Sequence, residues 1–314
     1  MKEREGQQAA KNSAKEQTAK KKLSEMNLLD DFLFGSVVTY PEIGERFVRI
    51  LLKTIFGKEF KQLSIAAQKV YYGADSDLHG ARLDVYVEPE IEEGSAGRAT
   101  VYDMEPDRKN SSADIRALPR RMRFYHARIA ARNLKSGTGY DELKNVIIIM
   151  IMPYDPFGLN RMIYTVKNMC VEVPEMEYED GASTVFLYTG GTEGETNEAV
   201  TQLLYYMEHT DYKNAVNNDL REIHRMIETV KRDPEMTIRY LRLMEELDRS
   251  RAEGKKYTIV SLVCKKMKKN KTIEEIAEDL EEEISVVEPI YITAKSFAPE
   301  YDPDLVFERL NAVE

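Results

Sequence analysis

Residues 81–108 read ARLDVYVEPEIEEGSAGRATVYDMEPDR, and this stretch decides the fold. Its opening alternates cleanly: Leu83, Val85 and Val87 fall on one side of an extended chain, with Arg82, Asp84 and Tyr86 on the other. Residues 88–97 are acidic and glycine-containing, the composition of a hairpin connection. TVYDME then resumes the extended pattern, and Pro106 marks its end or an edge. Residues two apart on a strand share a face, so Asp103 and Glu105 point the same way, and Asp107 continues that side if the backbone stays extended. If the two strands pair as a hairpin, Asp84 stands beside Glu105 on the polar face.

Outward from the hairpin, the patterning is that of an α/β protein. Upstream, residues 27–38 form a short segment, and residues 42–60 carry Ile43, Phe47, Ile50, Leu51, Ile55 and Phe56 at helical spacing. Pro41 suits that helix's first turn. Residues 70–72 suggest a short strand. Downstream, residues 118–134 read as a helix with Met122, Tyr125, His126, Ile129 and Leu134 near one side. Residues 146–152 are a nearly all-apolar strand, the pattern of a buried one. PYDPFG at 153–158 is a turn, and residues 162–166 and 184–188 are further strands. From residue 197 the pattern is helical, over 198–207, 218–231, 237–253, 257–269 and 272–280, the last opened by a capping box of Thr272 and Glu275. The expectation is a mixed central sheet flanked by helices over residues 26–190, a helical C-terminal region over 191–314, and a disordered basic and polar extension over 1–25.

With 314 residues, 42% hydrophobic and 32% charged, the chain can bury a sizeable core and is not of disordered composition. A net charge of −10 gives no global attraction to nucleic acid but leaves room for a local basic groove. Cys170 and Cys264, alone, provide neither a zinc ligand set nor a disulfide framework. The N-terminal residues lack the apolar core of a signal peptide, and residues 146–152 are too short an apolar run to span a bilayer. A reducing cytoplasm, with no membrane partner, is the expected setting.

Clustered carboxylates on one strand face have a chemical use. They bind a hard, oxygen-preferring cation such as Mg²⁺, which polarises a phosphodiester and lowers the pKa of an attacking water. The plain alternative is an ordinary wet strand face. Against it stand the helices expected on either side, because buried acids without a cation or partner are costly.

LDVYVE, VYDMEPDR, LPRRMRFYHARI, LKSGTGYDELKNVIIIMI and PYDPFGLNRMIYTVKN together resemble the PD-(D/E)XK nuclease family transposases, the Rpn-like recombination-promoting nucleases. The resemblance covers roughly residues 26–240, with Asp31 and Phe34 matching the family's opening D-x-x-F. It implies a restriction-endonuclease-like fold and metal-dependent DNA endonuclease activity, associated with mobile elements or recombination, with Mg²⁺ or Mn²⁺ as the metal and DNA as partner. By position, Asp84 matches the first metal-binding acid, in a G-x-R-x-D motif with Gly80 and Arg82, and Glu105 matches the acid of the next strand. The family's third position, a Lys or Gln, is Asp107 here, and an anion cannot replace a cation's field. Three readings stay open: Asp107 adds a metal ligand, Arg108 or Lys109 supplies the charge from a shifted position, or the site is inactive and the protein is a nucleic-acid or protein binding module. Asp31 either completes the metal shell from the first helix or caps that helix. Arg121 and Tyr125 match the Arg and Tyr of the family's next helix, as phosphate contacts or braces for the acids.

Residues 115–135 hold Arg116, Arg120, Arg121, Arg123, Arg128, Arg132 and Lys135, either a track for a phosphate backbone or a solvated face. His79, His126, His209 and His224 have no zinc spacing, and only His126 falls near the acids. Residues 257–290 suggest the start of a helix-turn-helix-like unit, but Glu281, Glu282 and Glu283 argue against a helix in a DNA groove. Packing or homo-oligomerisation is the expected use.

Overall fold

A computed structural model of the chain describes residues 2–60, 63–71, 81–89, 99–134 and 136–312. Gly80, Lys135 and most of the hairpin connection lie outside the described residues, as do the side chains of Arg82 and Asp84. Six strands form one sheet: β1 (Leu63–Tyr71), β2 (Ala81–Pro89), β3 (Thr100–Pro106), β4 (Asn145–Met152), β5 (Ile163–Lys167) and β6 (Ala182–Tyr188), in the spatial order β1-β2-β3-β4-β6-β5. The hairpin is present: β2 runs antiparallel to both β1 and β3. The sheet then turns parallel, β3 with β4 and β4 with β6, and ends on antiparallel β5. A parallel pair needs a crossover, and helix α4 (Ser112–Asn133) supplies it between β3 and β4.

The all-apolar run becomes the middle of the sheet, where both faces must be covered. Ile148, Ile149, Met150, Ile151 and Met152 are fully buried, each stabilising the fold by about 1.5–3 kcal/mol relative to exposure. One sheet face packs on α4: Tyr86, Val101, Val146, Ile148 and Met150 meet Leu118, Met122 and Ile129. The other carries Tyr102, whose ring lies 5.3 Å from Phe56 and 5.7 Å from Phe60. Phe56 ends α3 (Gly44–Phe56), which follows α2 (Asp31–Thr39).

Several boundaries differ from the sequence reading for identifiable reasons. The extension expected to be disordered is helix α1 (Lys2–Glu25), with Ala19 and Leu23 fully buried near its end. These two apolar residues a turn apart dock its end, and its polar composition concealed them. Pro41 precedes α3 and does not open it. The helix starts at Gly44, where a side chain would meet the Val38 carbonyl oxygen at 1.9 Å, so only glycine allows that approach. Helix α4 begins six residues before the expected start, because Ser111 caps it by accepting from the Asp114 N–H at 3.2 Å, and Pro119 lies inside.

Helices α5 (Glu198–Glu208) and α6 (Asn218–Arg232) follow the sheet, and α7 runs unbroken from Pro234 to Met267. The chain divides into compact units at Ile238, so α5 and α6 belong with the sheet and not with a C-terminal region starting at residue 191. The second unit, residues 239–314, has its own core. Val260, Val263, Cys264 and Met267 of α7 pack with Ile276 and Ala277 of α8 (Ile273–Leu280), Val287 and Ile290 of α9 (Ile284–Lys295), and Val306 of α10 (Pro303–Asn311). Both hydrogen bonds of the expected capping box at Thr272 and Glu275 form. No helix among the described residues is long and apolar enough to cross a membrane.

Candidate active site

The acids are set by strand register. Val85 pairs with Met104 and Tyr86 with Asp103. The paired stretch covers Val85–Val87 and Tyr102–Met104, and Asp84 and Glu105 are the next residue on each strand. Tyr86 and Val101 belong to the cluster under α4, so by alternation Asp103 and Glu105 face that helix. The face is not wet. Asp103 is fully buried, Glu105 is 6% exposed and Asp107 5%. Covering by α4 removes the plain reading of a solvated strand face, and it places the acids at the carboxyl ends of parallel strands, where open α/β sheets bind ligands.

Past Pro106 the backbone stays in the ladder, the Asp107 N–H donating to the Ile151 carbonyl at 2.8 Å. The Asp107 carboxylate is engaged on both oxygens. Oδ1 accepts from the Lys109 N–H at 2.9 Å. Oδ2 accepts from the Arg121 guanidinium and from the Tyr154 hydroxyl, the latter at 3.2 Å. Burial by itself lowers the Arg121 pKa. The hydrogen bond to Asp107 and the charges of Asp107, Tyr125 and Glu105 outweigh it, so the guanidinium is held charged beside the acids. The Tyr154 hydroxyl is pushed well above its ordinary value, first by burial and then by the Asp107 charge.

The other expected site residues divide by location. Asp30, not Asp31, caps α2, its Oδ1 accepting from the Phe32 N–H at 3.1 Å and the Leu33 N–H at 3.4 Å. Asp31 is an exposed residue in the first turn, with a carboxyl raised by partial desolvation and then by Asp30 and Asp107; Lys109 and Arg108 pull the other way. Asp31 therefore stands in the field of Asp107, Arg108 and Lys109. The Arg108 guanidinium comes within 3.9 Å of Asp30 and is about half exposed. Tyr125 is half-buried and packs against the cluster under α4. Arg116, Arg120 and Arg123 are exposed, one helical stripe on the outside of α4. His126 is on the sheet side of α4, its Nε2 2.9 Å from the Thr184 hydroxyl, with a pKa lowered by burial.

Among the described residues no group of three His, Cys, Asp or Glu side chains is placed to hold a metal ion. The donor chemistry fits Mg²⁺ in kind at Glu105, a buried carboxylate whose hard oxygens lie one residue beyond the paired stretch of β2 and β3. Asp107, engaged by Arg121, Tyr154 and a backbone N–H, does not fit as a third ligand. Tyr154 escaped the sequence reading because PYDPFG signals only a turn; its place two residues beyond a buried strand was the one available sign. Comparison with protein-family models, with curated proteins and with solved structures gives no match.

Proposed function

We propose that this chain is a Mg²⁺-dependent DNA endonuclease of restriction-endonuclease-like type, cytoplasmic and associated with mobile elements or recombination, with Mn²⁺ as a substitute metal. The observation that supports it most is the buried acid-bearing strand end: Glu105, next after the paired stretch of β3 as Asp84 is next after that of β2, beside a charged Arg121. In that role Glu105 and Asp84 hold the metal, which supplies Lewis acidity and a bound water of lowered pKa. Arg121 stabilises charge on the phosphodiester. Arg108, Lys109 and the exposed stripe of Arg116, Arg120 and Arg123 give the DNA backbone cationic contacts that carry no sequence preference.

One observation favours a second reading. Asp107 stands where the resembling nucleases carry a Lys or Gln, and it pairs with Arg121. A chain so altered serves as a nucleic-acid binding module without turnover. Incubation of purified protein with supercoiled and linear DNA in Mg²⁺, Mn²⁺ or EDTA separates the two, alongside Asp84→Asn and Glu105→Gln. Metal-dependent nicking lost in both variants is the expected result. Absence of nicking in either metal, or equal nicking by both variants, would leave the binding module as the better account.

A further inference from the structure

Helix α6 turns its apolar residues inward, with Leu220, Ile223, Met226, Ile227 and Val230 buried. On its outer side His224, Arg225, Glu228, Thr229 and Arg232 recur at the spacing of one helical face. A polar outer stripe is ordinarily just solvated. Here it lines a cavity of about 580 Å³ together with Tyr212, from the single 3₁₀ turn Tyr212–Asn214.

The groups facing this cavity have assigned roles. The His224 Nδ1 lies 2.8 Å from the hydroxyl of Tyr206, a fully buried residue. Burial, the first cause in each, lowers the His224 pKa and raises that of Tyr206, so both are neutral at neutral pH. The Tyr206 hydroxyl has no other acceptor among the described residues, so it donates and Nδ1 accepts. The imidazole proton is therefore on Nε2, which is neither bonded nor buried among the described residues. Arg225 is exposed and makes no ion pair among the described residues, whereas Arg232 is held by Glu228 Oε2 at 3.0 Å. The Thr229 hydroxyl donates to the Arg225 carbonyl at 3.0 Å, which leaves its oxygen as an acceptor. The Tyr212 ring meets the His224 ring at 5.6 Å, 62° apart, and stays 66% exposed, so it has surface open for stacking.

The cavity thus offers an unmatched guanidinium and an N–H for an oxyanion, an open aromatic ring for a planar group, and acceptors for hydroxyl or amino groups. Phosphate alone leaves the ring and the acceptors idle, and a nucleoside alone leaves Arg225 unmatched. The volume is of the size that small-molecule ligands fill. We propose that this cavity on α6 binds a nucleoside monophosphate, its phosphate on Arg225 and the His224 Nε2–H, and its base stacked on Tyr212. The site uses none of the acids of β3, so it stands or falls apart from the nuclease reading.

Calorimetric titration of the full chain with AMP, adenosine and inorganic phosphate, without added metal, tests this. AMP is expected to bind roughly tenfold or more tightly than either fragment, and Arg225→Gln and Tyr212→Leu each to weaken it roughly tenfold. Both side chains are exposed, so both variants are expected to melt with the parent chain. If either fails to fold, nitrogen NMR of the parent chain replaces it: AMP is expected to move the His224 Nε2 resonance and leave Nδ1 without a proton. An unmoved His224 resonance would overturn the proposal. AMP bound no more tightly than phosphate would show an adventitious anion spot only and overturn it too, as would folded variants with the parent affinity. A 5′-phosphorylated oligonucleotide that displaces AMP supports the site and makes a strand end its source of nucleotide; one that does not leaves the free nucleotide as the ligand.

Discussion

His126 shows what burial does to a single titrating group. Its ring lies against Thr184 beneath α4, and desolvation lowers its pKa from the ordinary 6.5, with only the Asp180 charge opposing. The unfolded chain therefore binds a proton at a pH where the folded one does not. That stability is present above pH 6.5 and is lost as pH falls towards the folded pKa. His126→Gln keeps a donor for Thr184 and removes the titration, so its unfolding midpoint should fall less between neutral and mildly acid pH than that of the parent chain. Parallel acid limbs in denaturant titrations would show that His126 is not desolvated. At this scale the sequence was partly readable. Alternation put Asp103 and Glu105 on one strand face because a period of two needs only local information. The pairing of Asp107 with Arg121 was not readable, because it joins the end of a strand to the third turn of the next helix and needs the crossover to be closed first. The burial of Asp103 and Glu105 was legible only through the helices expected on either side of the hairpin, because it depends on the helix laid over them.

Element boundaries follow the same division between local and distant causes. The capping box of α8 was readable because it is written in four consecutive residues. The unbroken α7 was not: Gly254 reads as a break between two helices, but an interior glycine costs a helix only about 1 kcal/mol. Helix α1 is the clearest case of a distant cause. Its composition is that of a solvated tail, yet Lys231, on α6 and only 9% exposed, donates to the Ser24 carbonyl at 3.1 Å and the Met26 carbonyl at 2.7 Å. Burial lowers the pKa of that lysine, Glu228 opposing, and the two carbonyls take the donors of the charged form. Lys231→Met removes the ammonium and with it both charge-assisted hydrogen bonds to the end of α1, a loss of about 1–3 kcal/mol. Limited proteolysis should then cut near residues 20–27 faster than in the parent chain. An unchanged cleavage pattern would mean that Ala19 and Leu23 alone hold α1 in place.

Across the whole molecule, the two cores share no residue. One is built by the sheet with α4 around Ile148 and Met150; the other by α7, α8, α9 and α10 around Val263 and Ile290. Cooperativity in unfolding comes from shared buried surface, so cores without common members set separate stabilities unless other contacts join them. Large-to-small substitution should therefore act on one unit at a time. Ile290→Ala is expected to cost about 2–5 kcal/mol, read as faster amide hydrogen exchange across residues 260–311 with exchange in the sheet strands unchanged. Met150→Ala should do the reverse, accelerating the strands and leaving residues 260–311 as they were. If either variant raises exchange in both units to the same degree, the chain unfolds as one body. Loss of duplex binding in Ile290→Ala would then report global unfolding, and only the contrast with Met150→Ala lets the acid site be assigned to the sheet unit alone.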